Sequence, residues 1–159
     1  MAQDICFRMD EGFVNVRVGA IIQKGGKLLM VANDELNYCY TVGGRIQFGE
    51  SAEDALRREL LEETGTALEI ERLGFVHEDF FLGDTGVMKD RQIYEIGFYY
   101  YVKTPEDFDP PCDRSVEEGS REHLQWIDPQ GDTTIYPTFF RTELSKPWTG
   151  VRHFVTDER

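Results

Sequence analysis

Ser51 to Thr64 is the segment that most restricts what this chain can become. Ser51 stands where an N-cap belongs, Asp54 follows at the third position, and Gly65 supplies the left-handed residue that stops helices. A helix is the expectation. At about 100° per residue, Ala52, Leu56, Glu59, Leu60 and Glu63 share one side with Glu62 flanking it, while Arg57 and Leu61 lie opposite. Glu59 and Glu63 therefore continue the apolar stripe, where ionised carboxylates are costly without a cation. Glu59, Glu62 and Glu63 at i, i+3 and i+4 also repel one another, and glutamates near a helix C-terminus oppose its dipole. A divalent ion relieves all of these penalties. Oxygen-only donors suit a hard cation, Mg²⁺ with Mn²⁺ as a substitute, and argue against zinc. An ordinary charged helix end is the competing reading of the spacing alone.

Around this helix the pattern is mostly strand. Val14, Val16 and Val18 alternate with polar or small residues across Val14–Ile22, and Gln23-Lys24-Gly25-Gly26 is turn chemistry before a second strand at Lys27–Ala32. Tyr38–Val42 is a short extended piece, and Leu68–Phe81 and Arg91–Lys103 are two long strands joined through Gly83–Gly86. Pro105–Ser120, rich in proline and acids, reads as a surface loop before a last strand at His123–Ile127. Pro137 fits the first turn of a helix reaching about Ser145. Strands interleaved with two helices predict an α+β fold with a mixed β-sheet. No repeat or linker divides the 159 residues, so one domain over 1–159 is expected.

Composition narrows the function classes. Seventeen Lys and Arg against thirty Asp and Glu leave a net charge of −13. That surface is unsuited to duplex nucleic acid or an anionic membrane, although a phosphate substrate remains accessible where a metal supplies positive charge. No apolar run approaches the roughly 20 residues of a membrane helix. Cys6, Cys39 and Cys112 are odd in number and far apart, which disfavours a disulfide framework and makes the cytoplasm the expected location.

Gly44 to Thr66 resembles the Nudix box, G-x5-E-x7-R-E-U-x-E-E-x-G-U, where U is a bulky aliphatic residue. Gly44, Glu50, Arg58, Glu59, Leu60, Glu62, Glu63 and Gly65 match in register. Thr66 departs at the final aliphatic position, and Val42 stands where many members carry proline before the two glycines. The resemblance covers about one seventh of the chain. It implies a MutT-like hydrolase with an α/β/α sandwich, a mixed β-sheet lying between helices. It also implies water attack on the pyrophosphate link of a nucleoside diphosphate joined to another moiety, assisted by Mg²⁺.

By position in the motif, Glu59, Glu62 and Glu63 should ligate metal and Gly44 should add its carbonyl. Arg58 should orient the glutamates, with Glu50 supporting the loop or the metal from behind. Members often carry a further acid on a loop before the last central strand. Glu118 is preferred here because Gly119 follows it, with Glu117 and Glu122 as competitors, Glu78 as a weaker candidate, and a solvated acidic loop as the plain alternative. Arg17, Tyr40 and Phe48 are the candidates for substrate contact, with Tyr38 beside them as a stacking wall or as ordinary packing. Missing substrate-specific marks (a proline about 16 residues past the box, a tyrosine near Leu82–Gly83, four zinc cysteines) favour a nucleoside triphosphate or nucleotide-sugar type of substrate. A nucleotide-sensing module that kept the fold is the alternative, although such modules often lose these glutamates. The aromatic run Phe98–Tyr101 offers a face for a homodimer.

Overall fold

The structure, a computed structural model, describes residues 2–159. In chain order its strands are β1 (Cys6–Arg8), β2 (Gly12–Ile21), β3 (Gln23–Lys24), β4 (Lys27–Asn33), β5 (Tyr38–Thr41) and β6 (Gly43–Arg45). Helix α1 (Ala52–Thr64) follows, then β7 (Ile70–Leu82), β8 (Gln92–Val102), β9 (Glu122–Ile127), β10 (Thr134–Tyr136), helix α2 (Phe140–Glu143) and β11 (Arg152–Asp157). The sheet layer is two sheets rather than one. The larger runs β1-β2-β8-β7-β11 with β6 also on β2, and the smaller runs β10-β5-β4-β3 with β9 also on β4. Both are mixed, because β2 runs parallel to β8, β11 to β7 and β10 to β5. The sheets meet where Ala20 N–H donates to Val42 carbonyl and Leu29 N–H to Ile22 carbonyl, at 2.8 and 2.9 Å.

Two buried clusters divide by face. Ala55, Leu56 and Leu60 of α1 pack with Val18, Ala20 and Ile22, and with Leu29, Val31 and Leu124 of the smaller sheet. On the other face Phe140 of α2, with Phe139 and Leu144, packs with Ile21, Phe75, Tyr99, Met30 and Ile135. The alternation of β2 explains this. It is a central strand, so even-numbered residues meet α1 and odd-numbered ones face the α2 side. Helices on opposite faces of a mixed sheet layer are the expected α+β sandwich.

Two expectations need correction. The second helix is a single turn, Phe140–Glu143, and does not extend to Ser145. A terminal strand, β11, was not legible; it exists because β7 offers an edge with which it pairs in parallel, Arg152 opposite Phe75 through Asp157 opposite Phe80. In the aromatic run at Phe98–Tyr101, Tyr99 and Tyr100 are buried, one in each cluster, while Phe98 and Tyr101 are partly buried. Among the described residues no helix is long and apolar enough to cross a membrane.

Candidate functional site

The helix begins as its sequence dictates, with Ser51 Oγ accepting from Asp54 N–H at 3.1 Å, and ends at Gly65 with φ of 74°. Before it, Gly43 and Gly44 form β6 against β2. Gly43 has φ of 149°, and a Cβ there would strike the Val18 carbonyl. A Cβ on Gly44 would strike the carboxylate of Glu59. The glycine pair therefore lets bare backbone lie against the acidic face of α1.

Arg58 organises this face. Its Nε and Nη2 donate to the two oxygens of Glu50 at 2.8 and 2.9 Å, Nη1 donates to Glu59 at 2.7 Å, and Nη2 reaches the Arg45 carbonyl at 3.2 Å. Glu62 lies 3.5 Å from the same guanidinium. Glu50 also accepts from Gln47 N–H at 2.8 Å, so one bidentate pair ties the loop to the helix. Those hydrogen bonds hold the Glu50 carboxyl below its usual range and Arg58 above.

Glu59 and Glu63 behave differently. The Glu59 side chain is 13% exposed against 54% for Glu62. Burial pushes the Glu59 carboxyl up, opposed by Arg58. Burial pushes Glu63 up to about 8; Gly43 N–H, donating at 3.0 Å, and Arg17 oppose it, while Glu59 and Glu122 add to it. Positive charge is what this face lacks. The donors are oxygens of several carboxylates with a bare glycine backbone beside them, chemistry that fits a hard divalent cation. Among the described residues no three acids already stand close enough together to hold one. Arg58 and Gly43 N–H occupy the carboxylates in this arrangement.

The remaining predicted residues scatter. Glu118 shares a recess of about 300 Å³ with Glu62, Glu63 and Gly65 of the helix end and with Arg114 and Val116 of its own loop. Gly119 has φ of 79°, the turn expected after Glu118. Glu122 opens β9, takes the hydrogen bond of Tyr40 Oη, and contributes to the field on Glu63. Arg17 lies on the α2 side of β2, with Tyr99, Glu95, Glu63 and Tyr40 holding its charge against burial. Phe48 is 81% exposed and has no ring partner among the described residues. Glu78 is engaged with Tyr94 Oη and His153 Nε2, both at 2.6 Å.

Residues that sequence reasoning passed over stand beside Arg17. Asn15, Glu95 and Asp79 form one row across β2, β8 and β7, and Asn15 Nδ2 donates to Glu95 at 2.6 Å. Alternation with valines put Asn15 and Arg17 on one face of a strand, but Glu95 and Asp79 join that face only through the pairing of β2 with β8 and β8 with β7.

A family model described as NUDIX domain matches residues 14–139. No curated protein matches the chain. Among solved structures, the MutT NUDIX hydrolase from Burkholderia pseudomallei aligns with TM-score 0.62 and 23% identity over 84% of this chain and 98% of its own. A MutT protein from Bacillus halodurans gives 0.60 and 15% over 89% and 90%. An ADP-ribose pyrophosphatase from Streptococcus suis gives 0.54 and 14% over 87% and 98%. At these identities the likeness is one of fold. The family model spans most of the chain, and the chain belongs to the NUDIX family as a Nudix hydrolase.

Proposed function

We propose that this protein hydrolyses the pyrophosphate link of a nucleoside diphosphate-X substrate, of nucleoside triphosphate or nucleotide-sugar type, with Mg²⁺ and with Mn²⁺ as a substitute. The observation that carries the reading is the acidic end of α1, where Glu59 and Glu63 are largely buried beside the bare backbone of Gly43 and Gly44 and burial pushes Glu63 up to about 8. Glu59, Glu62, Glu63 and Glu118, with the Gly44 carbonyl, would hold the metal. When bound, it would neutralise phosphate oxygens and lower the pKa of an attacking water. Arg58 keeps Glu59 oriented and, through Glu50, keeps the loop against the helix. Arg17 supplies a cation whose charge acts on Glu63 and Tyr40. Its place suits the negative end of a nucleotide.

A panel of nucleoside triphosphates, nucleotide sugars and dinucleotides with Mg²⁺ or Mn²⁺, scored for phosphate-containing products, tests this. Turnover of at least one class that EDTA abolishes is the expected result. Silence across all classes would overturn it.

A further inference from the structure

The recess that Glu118 shares with the helix end adjoins a second and larger one. Pro111 and Arg114 line both. The second has a volume of about 850 Å³, and Asp109, Asp113 and Trp126 stand on its wall. Small-molecule sites run from roughly 300 to 1,000 Å³. It therefore has room for a whole organic group next to the acids of the helix end.

Its wall is held from behind. Trp126, in β9, is partly buried and meets Phe108 edge-on, with ring centroids 6.3 Å apart and planes at 77°. Phe108 is buried, and its carbonyl accepts from Lys24 Nζ at 2.8 Å. Cys112 packs against the cluster beneath α1, and its Sγ donates to the Pro110 carbonyl at 3.5 Å. Asp109, Asp113 and Arg114 are exposed, and among the described residues none of these side chains takes part in a hydrogen bond or ion pair. Burial, then Asp109 and Asp113, push the Cys112 thiol up, so both carboxylates lie near it.

This lining restricts the ligand. An ionised carboxylate accepts hydrogen bonds and repels phosphate, so the terminal group of a triphosphate is disfavoured here. A flat base carries its donors along an edge. A sugar ring carries hydroxyl donors around its rim and a C–H face that packs on an aromatic ring. Two free acceptors beside one indole match the sugar. Arg114 lines both recesses, which puts a free cation at the boundary between phosphates and sugar. We propose that the recess seats a sugar as the X group, its ring on Trp126, its hydroxyls donating to Asp109 and Asp113, and Arg114 at the pyrophosphate. This deepens the hydrolase reading, on which it rests for the phosphates, and narrows the substrate to the nucleotide-sugar type.

Trp126 and Trp148 are the two tryptophans, so Trp148→Phe leaves Trp126 as the sole reporter. The test is rapid mixing of that full-length variant and Mg²⁺ with ADP-glucose, UDP-glucose or GDP-mannose, following Trp126 fluorescence before turnover. The matching nucleoside diphosphate keeps the pyrophosphate and the monophosphate keeps the charge, so both serve as controls. At least one nucleotide sugar should change the signal saturably and bind about tenfold more tightly than either control, as hydrogen bonds to charged groups allow. Asp109→Ala with Asp113→Ala should cut that ratio to below about threefold. Should the double variant fail to fold, the signal and ratio of the Trp148→Phe protein decide. Equal affinities, a silent Trp126, or a preference that survives the double substitution overturns the sugar site. Product from the same mixtures without sugar preference overturns it while leaving the hydrolase reading standing. Sugar preference without product supports it and removes the hydrolase reading instead.

Discussion

Each acid of the site has a distinct environment, and its substitution should behave accordingly. Glu59→Gln and Glu63→Gln keep shape and remove the charge a metal requires. Each is expected to lower kcat on the order of 10²-fold or more, since even supporting partners of metal ligands cost 10–100-fold. Near-normal turnover at saturating Mg²⁺ would place that residue outside the metal's ligands. Glu118 and Glu122 separate by geometry. Glu118 faces the recess at the helix end, whereas Glu122 holds Tyr40. Glu118→Gln should therefore lower kcat more than it raises KM, and Glu122→Gln should move KM more. Steady-state kinetics at two salt concentrations check this, because exposed-charge effects fade with screening. Equal and salt-sensitive effects from both would mean that the loop acts only through its field.

At the scale of elements, α1 is held by its ends and by one buried stripe. Ser51 caps the first turn through Asp54 N–H, and Ser51→Ala should cost about 1 kcal/mol in denaturant unfolding. Activity measured below the transition should hardly change, since the cap lies at the opposite end from Glu63. Gly44→Ala makes the reverse case. The added Cβ meets the Glu59 carboxylate, so turnover should fall while the unfolding midpoint moves little. A variant with full turnover would show that β6 yields and that bare backbone there is unnecessary. These contrasts follow from position: caps act on the helix, whereas the glycine acts on what the helix presents.

For the molecule as a whole, the buried acids make metal-free stability depend on pH. Glu63 titrates near 8 in the fold against 4.5 unperturbed, and Asp79 near 7 against 3.8. The folded state thus holds protons that the unfolded chain has released, so stability falls as pH rises from about 4 to about 8. Thermal melts in EDTA should show the midpoint dropping across that window. Glu63→Gln should remove part of the drop, leaving the share of Asp79, and Mg²⁺ should restore the unmodified protein at high pH. A flat profile would contradict the burial of both groups. Much of this site could be read in advance because the helix, its caps and its acidic stripe depend on neighbours three and four residues away. The odd-numbered face of β2 could not. Alternating Asn15 and Arg17 with valines describes a strand with one solvated face equally well, until β8 pairs with its edge and β7 pairs beyond β8. Glu95 reaches Asn15 across 80 residues and Glu122 reaches Tyr40 across 82. Such pairs depend on which strands become neighbours. So does β11, whose alternation has no meaning until β7 presents an edge. Local spacing along the chain carries the family, the helix and its glutamates. What faces those glutamates follows from strand pairing, which brings together side chains far apart in the chain.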